Sequence, residues 1–328
     1  MLRSQREGAR SVRHGFGLVL LVLATNLAAA LVLAAPLALQ LERELDHRGA
    51  SAAMMYGFDY DWWSRWSEDQ NGPGRSLSPE LLGAGFALKN VELLLDGYLP
   101  AGLFAAGRGA AAPVDPIVLA VGLAYLALQA FLTGGLLCVY RRPRSGWTVR
   151  GLAHGSGFYF GRMLRLSVLS LALVGAVFAL NAPAARWLDR AAREAVSGRS
   201  AALVTLGRHA LLLAALLLVH MVVSHARVLV VREERLSVLL AFVSSLGFCA
   251  RRLAAALGQY LCVALASGLL LAVFALADSQ LVVVGYRTQA MALVLFEAFV
   301  AARIALRLWL LASQLELQRE AKGSPSHA

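Results

Sequence analysis

The residues with chemical potential are few, and they interrupt otherwise apolar stretches. Glu297, Arg303 and Arg307 fall within Ala290–Ala312. An ionisable side chain in hydrocarbon is costly, so each marks a paired, neutral or water-exposed position. Helical rise places Glu297 roughly 10 Å below the outer edge of that stretch and Arg303 roughly 9 Å deeper. Arg307 can snorkel to the nearer interface, whereas Glu297 cannot easily do so. Arg208 would lie at the depth of Glu297 if its own apolar stretch began near Ala201. The expectation is therefore an Arg208–Glu297 ion pair, with an Arg303 contributed by a neighbouring subunit as the alternative. Such a pair is structural; a bare Glu297 would instead suit a transport or proton site.

A second group is Met54–Trp66, which holds three of the six tryptophans. Two readings fit it. One is an aromatic belt resting at the outer interface. The other is a recognition surface for a lipid, glycan or partner, with Trp62, Trp63 and Trp66 as faces and Asp59, Asp61 and Arg65 at the rim. A third group comprises Asn26, Gln129, His209, His220, Ser224 and His225. Asn and Gln in such stretches most often join helices by hydrogen bonds. His220 and Ser224 share a helix face, but His220 and His225 are about 140° apart, so a metal site would need further ligands.

Catalytic patterns are missing. The chain has no HExxH, no Walker A sequence, no CxxC and no Asp well inside an apolar stretch. Gly155-Ser156-Gly157 lacks the preceding Gly of a nucleophile turn. Cys138, Cys249 and Cys262 lie in or beside apolar segments, where free Cys behaves as a small hydrophobe. The residues point to no catalytic group, no metal and no cofactor.

The elements that must position these groups follow from composition. Of 328 residues, 59% are hydrophobic and only 16% charged, with mean hydropathy +0.63. That excludes a disordered chain and points to an all-α polytopic membrane bundle. Six stretches can cross the roughly 30 Å of bilayer hydrocarbon: Phe16–Leu39, Ile117–Tyr140, Leu166–Ala185, Arg208–Val231, Leu253–Ala277 and Ala290–Ala312. The net charge is +11, and 29 of the 31 basic residues are Arg, which with the Ala and Leu content suggests a GC-rich bacterial genome. The basic residues flank the spans instead of forming a stripe, which argues against nucleic acid as a partner. Nineteen of them sit on one side. By the positive-inside rule both termini are then cytoplasmic, in a bacterial cytoplasmic membrane. The basic start and the run Ala28–Ala35 also fit a signal peptide, but the apolar stretch is longer than the usual core of one.

Residues 1–328 thus read as one membrane domain of three hairpins, each preceded by a basic amphipathic stretch. Phe158-x3-Arg162 and Phe248-x3-Arg252 look alike and suggest a weak repeat. Residues 232–250 have leucines at helical spacing and read as a cytoplasmic interfacial helix. The loop 42–112 is expected outside, with an amphipathic helix near 79–96 between the N-cap Ser78 and the stop Gly97. Gly258, Cys262 and Ala266 recur every four residues and suit close helix contact.

The order of amphipathic helix and hairpin, with His225-Ala226-Arg227-Val228-Leu229-Val230-Val231-Arg232-Glu233-Glu234, resembles six-span bacterial membrane proteins of unknown function. It is also similar to the membrane domain that accompanies some glycerophosphodiester phosphodiesterases, which often carry Asp at the position of His225. The resemblance covers the chain from about Arg141 onward and implies a fold type without an activity, since no phosphodiesterase domain is present. Two functions remain in view. One is a non-enzymatic scaffold or auxiliary subunit of an envelope or transport assembly, with the lipid bilayer, other membrane subunits or further copies of the chain as partners. The other is a small transporter or lipid-handling protein using Glu297.

Overall fold

The computed structural model describes residues 2–45, 59–69, 74, 116–141, 146–194, 197–281 and 285–323. Among them the secondary structure is helical throughout. The helices are α1 (Leu2–His14), α2 (Phe16–Leu45), α3 (Tyr60–Asp69), α4 (Pro116–Arg141), α5 (Val149–Arg193), α6 (Gly198–Arg232), α7 (Val238–Arg251), α8 (Leu253–Ser279) and α9 (Tyr286–Gly323). Five stretches are long and apolar enough to cross a membrane: Phe16–Leu45, Pro116–Arg141, Val149–Leu188, Gly198–Arg232 and Leu253–Ser279. The chain therefore has the make-up of a multi-pass membrane protein. The sixth expected stretch lies on α9, which carries Glu297, Arg303 and Arg307 and is not among those five.

Local chemistry sets several boundaries. The Thr148 hydroxyl accepts the Gly151 N–H at 3.1 Å and opens α5. Ser197 and Ser200 form a reciprocal capping box at α6, and Ser237 caps α7 through the Leu240 N–H. Each satisfies a donor that a helix start would leave orphaned. The amphipathic stretch around Phe158 is not a separate element. No proline interrupts Val149–Ala182, so it runs unbroken into the third apolar stretch as the 45-residue α5. Phe248 instead lies on the short α7, so the two similar stretches occupy different structures. The expected helix at 232–250 begins at Val238, after a turn in which Glu234 adopts φ 53°. The expected helix near 79–96 and most of the loop 42–112 lie outside the described residues.

Close contacts position the helices. A Cβ on Gly135 would stand 2.5 Å from the Leu152 carbonyl oxygen, and one on Gly155 would stand 2.8 Å from Cys138 Cβ. These glycines let α4 and α5 approach backbone to backbone as an antiparallel pair. At one end of the α8–α9 pair Gln259 bonds to the Ser313 carbonyl at 2.9 Å, and further along Phe274 stacks on Phe299 at 4.3 Å. These two helices therefore also run antiparallel, side by side. Helix α1 lies on the C-terminal part of α9. Trp309 Nε1 donates to the Gln5 carbonyl at 2.9 Å, and Ser313 Oγ donates to Gln5 Oε1 at 3.1 Å. Both terminal helices thus meet at one end of the bundle. The main apolar core, with Leu18, Leu137, Met163, Val230 and Leu315, sits toward that end.

Candidate functional site

The residues singled out by sequence do not gather into one site. Glu297 is half-buried and forms no ion pair among the described residues. Arg208 Nη2 instead contacts His209 Nε2 at 2.8 Å, so the expected Arg208–Glu297 pair is not formed. Arg303 is exposed, with its guanidinium 5.7 Å from the Phe299 ring centroid. On α3, Asp59 Oδ1 accepts the Asp61 and Trp62 N–H groups at 3.1 and 2.9 Å, so its carboxylate is an N-cap. Trp62 and Trp66 are buried and stacked at 5.6 Å, with Trp63 tilted against both. Among the described residues of that group Tyr60, Asp61, Ser64 and Arg65 are exposed. The tryptophans are thus a packed cluster, and a recognition face here would draw on Tyr60, Asp61, Arg65 and the edge of Trp63.

A buried polar ladder lies elsewhere, where the terminal helices meet. Gln314 of α9 accepts from Ser224 Oγ at 2.7 Å and donates to Tyr260 Oη at 3.1 Å. His220 Nδ1 lies 3.1 Å from the same phenol, and Tyr260 Oη donates to the His220 carbonyl at 3.4 Å. One turn on, Gln318 Nε2 donates to the His225 carbonyl at 3.1 Å and lies 3.2 Å from its Nδ1. His220 thus engages Tyr260 and His225 engages Gln318, while the buried His225 Nε2 has no hydrogen-bond partner among the described residues. Among the described residues no three His, Cys, Asp or Glu side chains come together as metal ligands.

Arginines close the same end. Arg319 Nη2 donates to the Arg141 carbonyl at 2.8 Å and the Tyr140 carbonyl at 3.3 Å. Arg141 donates to the Val231 carbonyl at 2.8 Å, and Arg232 to the Gln318 carbonyl at 2.6 Å. Tyr140, Arg141 and Val231 lie at the C-termini of α4 and α6, where carbonyls are left unpaired and carry partial negative charge, which Arg319 and Arg141 satisfy. Glu316, beside Arg319, has its carboxyl held above the usual carboxylate range by burial, with the guanidinium opposing.

Next to this clasp a cleft of about 540 Å³ opens between α6, α7 and α9. Arg232, Arg235, Arg251 and Arg252 line it, and Glu233 is its one carboxylate among the lining residues. Glu233 is engaged by Arg235 Nε at 2.6 Å. The lining therefore has three positive charges in excess. Gln318 forms part of the wall; it is fully buried, and its Oε1 has no hydrogen-bond partner among the described residues. Helix α7 turns Val238, Ala241, Ser245 and Cys249 inward and exposes Leu239, Leu240, Val243 and Leu246, with Leu236 exposed just before its start. An arginine cleft and an uncovered leucine face thus share one helix. Compared with known protein families, with curated proteins and with solved structures, the chain matches none.

Reading the sequence missed this cleft as a unit. Its arginines counted toward orientation and its leucines toward an interfacial helix. The available pointer was the spacing itself: Arg232 and Arg235 before the leucine run, Arg251 and Arg252 after it.

Proposed function

We propose that the protein is a non-enzymatic component of a bacterial cytoplasmic membrane, a scaffold or auxiliary subunit that seats itself on anionic lipid headgroups through the α6–α7–α9 cleft. The observation that carries this reading is the four-arginine cleft beside the exposed leucine face of α7. Such a helix lies in the interface with its apolar face among acyl chains, and basic groups beside it attract headgroup phosphates. Six spans support the arrangement. Helix α9 runs antiparallel along α8, which supports a sixth crossing on α9 beside the one on α8. Both terminal helices meet at one end, and only an even number of crossings returns the chain there. The basic clasp at that end supports reading it as the cytoplasmic one.

The test has two parts. In a variant lacking Cys138, Cys249 and Cys262, a cysteine at Ser64 should be labelled from outside and one at Ser237 from the cytoplasm. Reversed labelling would overturn the orientation. Purified protein should retain phosphatidylglycerol over phosphatidylcholine in native mass spectrometry, and the Arg251→Ala/Arg252→Ala variant should lose that preference. Equal retention in both proteins would sink the headgroup role. The unpaired Glu297 favours the second reading, a small transporter: a proton- or ion-coupled flux in liposomes that Glu297→Gln abolishes would put transport in place of the scaffold.

A further inference from the structure

A second cavity, of about 290 Å³, lies between α4, α5, α6 and α9. Arg227 of α6 and Arg307 of α9 both line it. Gln129, Thr133, Ser167 and Ser170 add uncharged polar groups, and the lining contains no carboxylate. Arg307 is fixed in place: its Nη1 donates to Gln129 Oε1 at 2.7 Å, while Gln129 Nε2 donates to Asn26 Oδ1 at 2.9 Å. Both ends of the Gln129 amide are thereby used, and its orientation is set. One of the five Arg307 donors is consumed. Arg227 makes no hydrogen bond or ion pair among the described residues.

The cavity is sunk below the basic clasp. Arg227 precedes Arg232 by five residues, about 8 Å of helix, and Arg307 precedes Arg319 by twelve, about 18 Å. Leu126 and Leu171 line the cavity and are 40% and 53% exposed, so it opens on an apolar flank of the bundle. That flank faces acyl chains in a membrane. Two guanidiniums in one cavity repel each other, and each is costly to hold in a low-dielectric setting without a counter-ion. No side chain of the cavity supplies that counter-ion. A single anion between them would accept charge-assisted bonds from both forks and turn the repulsion into attraction.

We propose that this cavity binds the anionic group, phosphate or carboxylate, of a single-tailed or double-tailed amphiphile that enters from the bilayer between Leu126 and Leu171, with Arg227 and Arg307 clamping the anion. The site is separate from the headgroup cleft and does not rest on its role. Dodecyl phosphate and dodecanoate share the needed chemistry, and inorganic phosphate and dodecyl maltoside each lack half of it.

The experiment titrates these four probes against the full chain in a nonionic detergent and follows thermal unfolding. Dodecyl phosphate or dodecanoate should raise the melting temperature saturably, and inorganic phosphate should not. Arg227→Gln and Arg307→Gln should each weaken the response about 10- to 100-fold, the range for a lost charge-assisted hydrogen bond. Because Arg307 also holds Gln129, a misfolded Arg307→Gln would leave Arg227→Gln to decide, since that side chain holds nothing else in place. Leu171→Trp, at the mouth, should weaken the tailed probes only. An undiminished response in Arg227→Gln, or its loss in Arg251→Gln/Arg252→Gln instead, would overturn the assignment. A response to inorganic phosphate equal to that for dodecyl phosphate would overturn the amphiphile and leave a free anion from water.

Discussion

The two ends of the bundle are built on opposite terms. Where the terminal helices meet, His225, Gln314 and Gln318 are fully buried, and arginines satisfy the carbonyls of neighbouring helices. At the other end the same helices present uncovered apolar side chains, such as Leu203, Leu206, Leu269 and Leu276. Lipid tails are as apolar as leucine, so a helix inside a bilayer gains no hydrophobic drive from packing against its neighbour. Polar groups do gain, because hydrocarbon offers them no partner. Polar contacts therefore tie the helices together at the first end, whereas the apolar end leaves its leucines uncovered.

This contrast predicts unequal responses to mutation. The largest effect is expected at the helix crossing. Gly135→Leu forces a side chain into a space where even Cβ would stand 2.5 Å from the Leu152 carbonyl. Overpacking of this kind costs about 1–3 kcal/mol or more, and loss of the folded peak in size-exclusion chromatography is the readout. Leu276→Ala, at the apolar end, should stay within about 0.5 kcal/mol of wild type. Comparable losses from both would break the comparison.

Next is the ladder. Gln314→Leu leaves Ser224 without its side-chain partner and Tyr260 with His220 alone, at a cost of about 1–3 kcal/mol. Adding Ser224→Ala should recover part of it, and urea unfolding in detergent would show the coupling. Strict additivity of the two changes would mean that the ladder is not one network.

The smallest effect is at Glu316. Burial raises its carboxyl above the ordinary range, so its charged form is disfavoured in the folded protein. Its contribution to stability is full below the usual carboxylate range and is lost as pH rises through the folded value. Glu316→Gln, neutral throughout, should match wild type in acid and equal or slightly exceed it at neutral pH. A variant less stable than wild type at neutral pH would show that the pairing with Arg319 outweighs burial.

Most of the helical framework could be read from the residues. Phe16–Leu39, Ile117–Tyr140 and Leu253–Ala277 each fall within one observed helix, because apolar length is a property of a single segment. Asn26 and Gln129 stood out as helix-joining amides, and they bond to each other. The Glu297 pairing failed for a physical reason. Depth along a helix can be counted from sequence, but the face presented to a neighbour cannot, and Arg208 turns to His209. Gln314 and Gln318 drew no notice because they follow the last apolar stretch, where glutamine ordinarily faces water.

By itself, then, the sequence determined an all-helical chain, its long apolar helices and the clustering of arginine at their ends, since hydrophobicity and charge are local. Tertiary structure decided which polar groups meet. It set Gln314 between Ser224 and Tyr260, gathered Arg232, Arg235, Arg251 and Arg252 around one cleft, and brought Arg227 and Arg307 into another. Those meetings depend on helix register and on which face turns inward, and both are fixed by contacts between segments far apart in the chain.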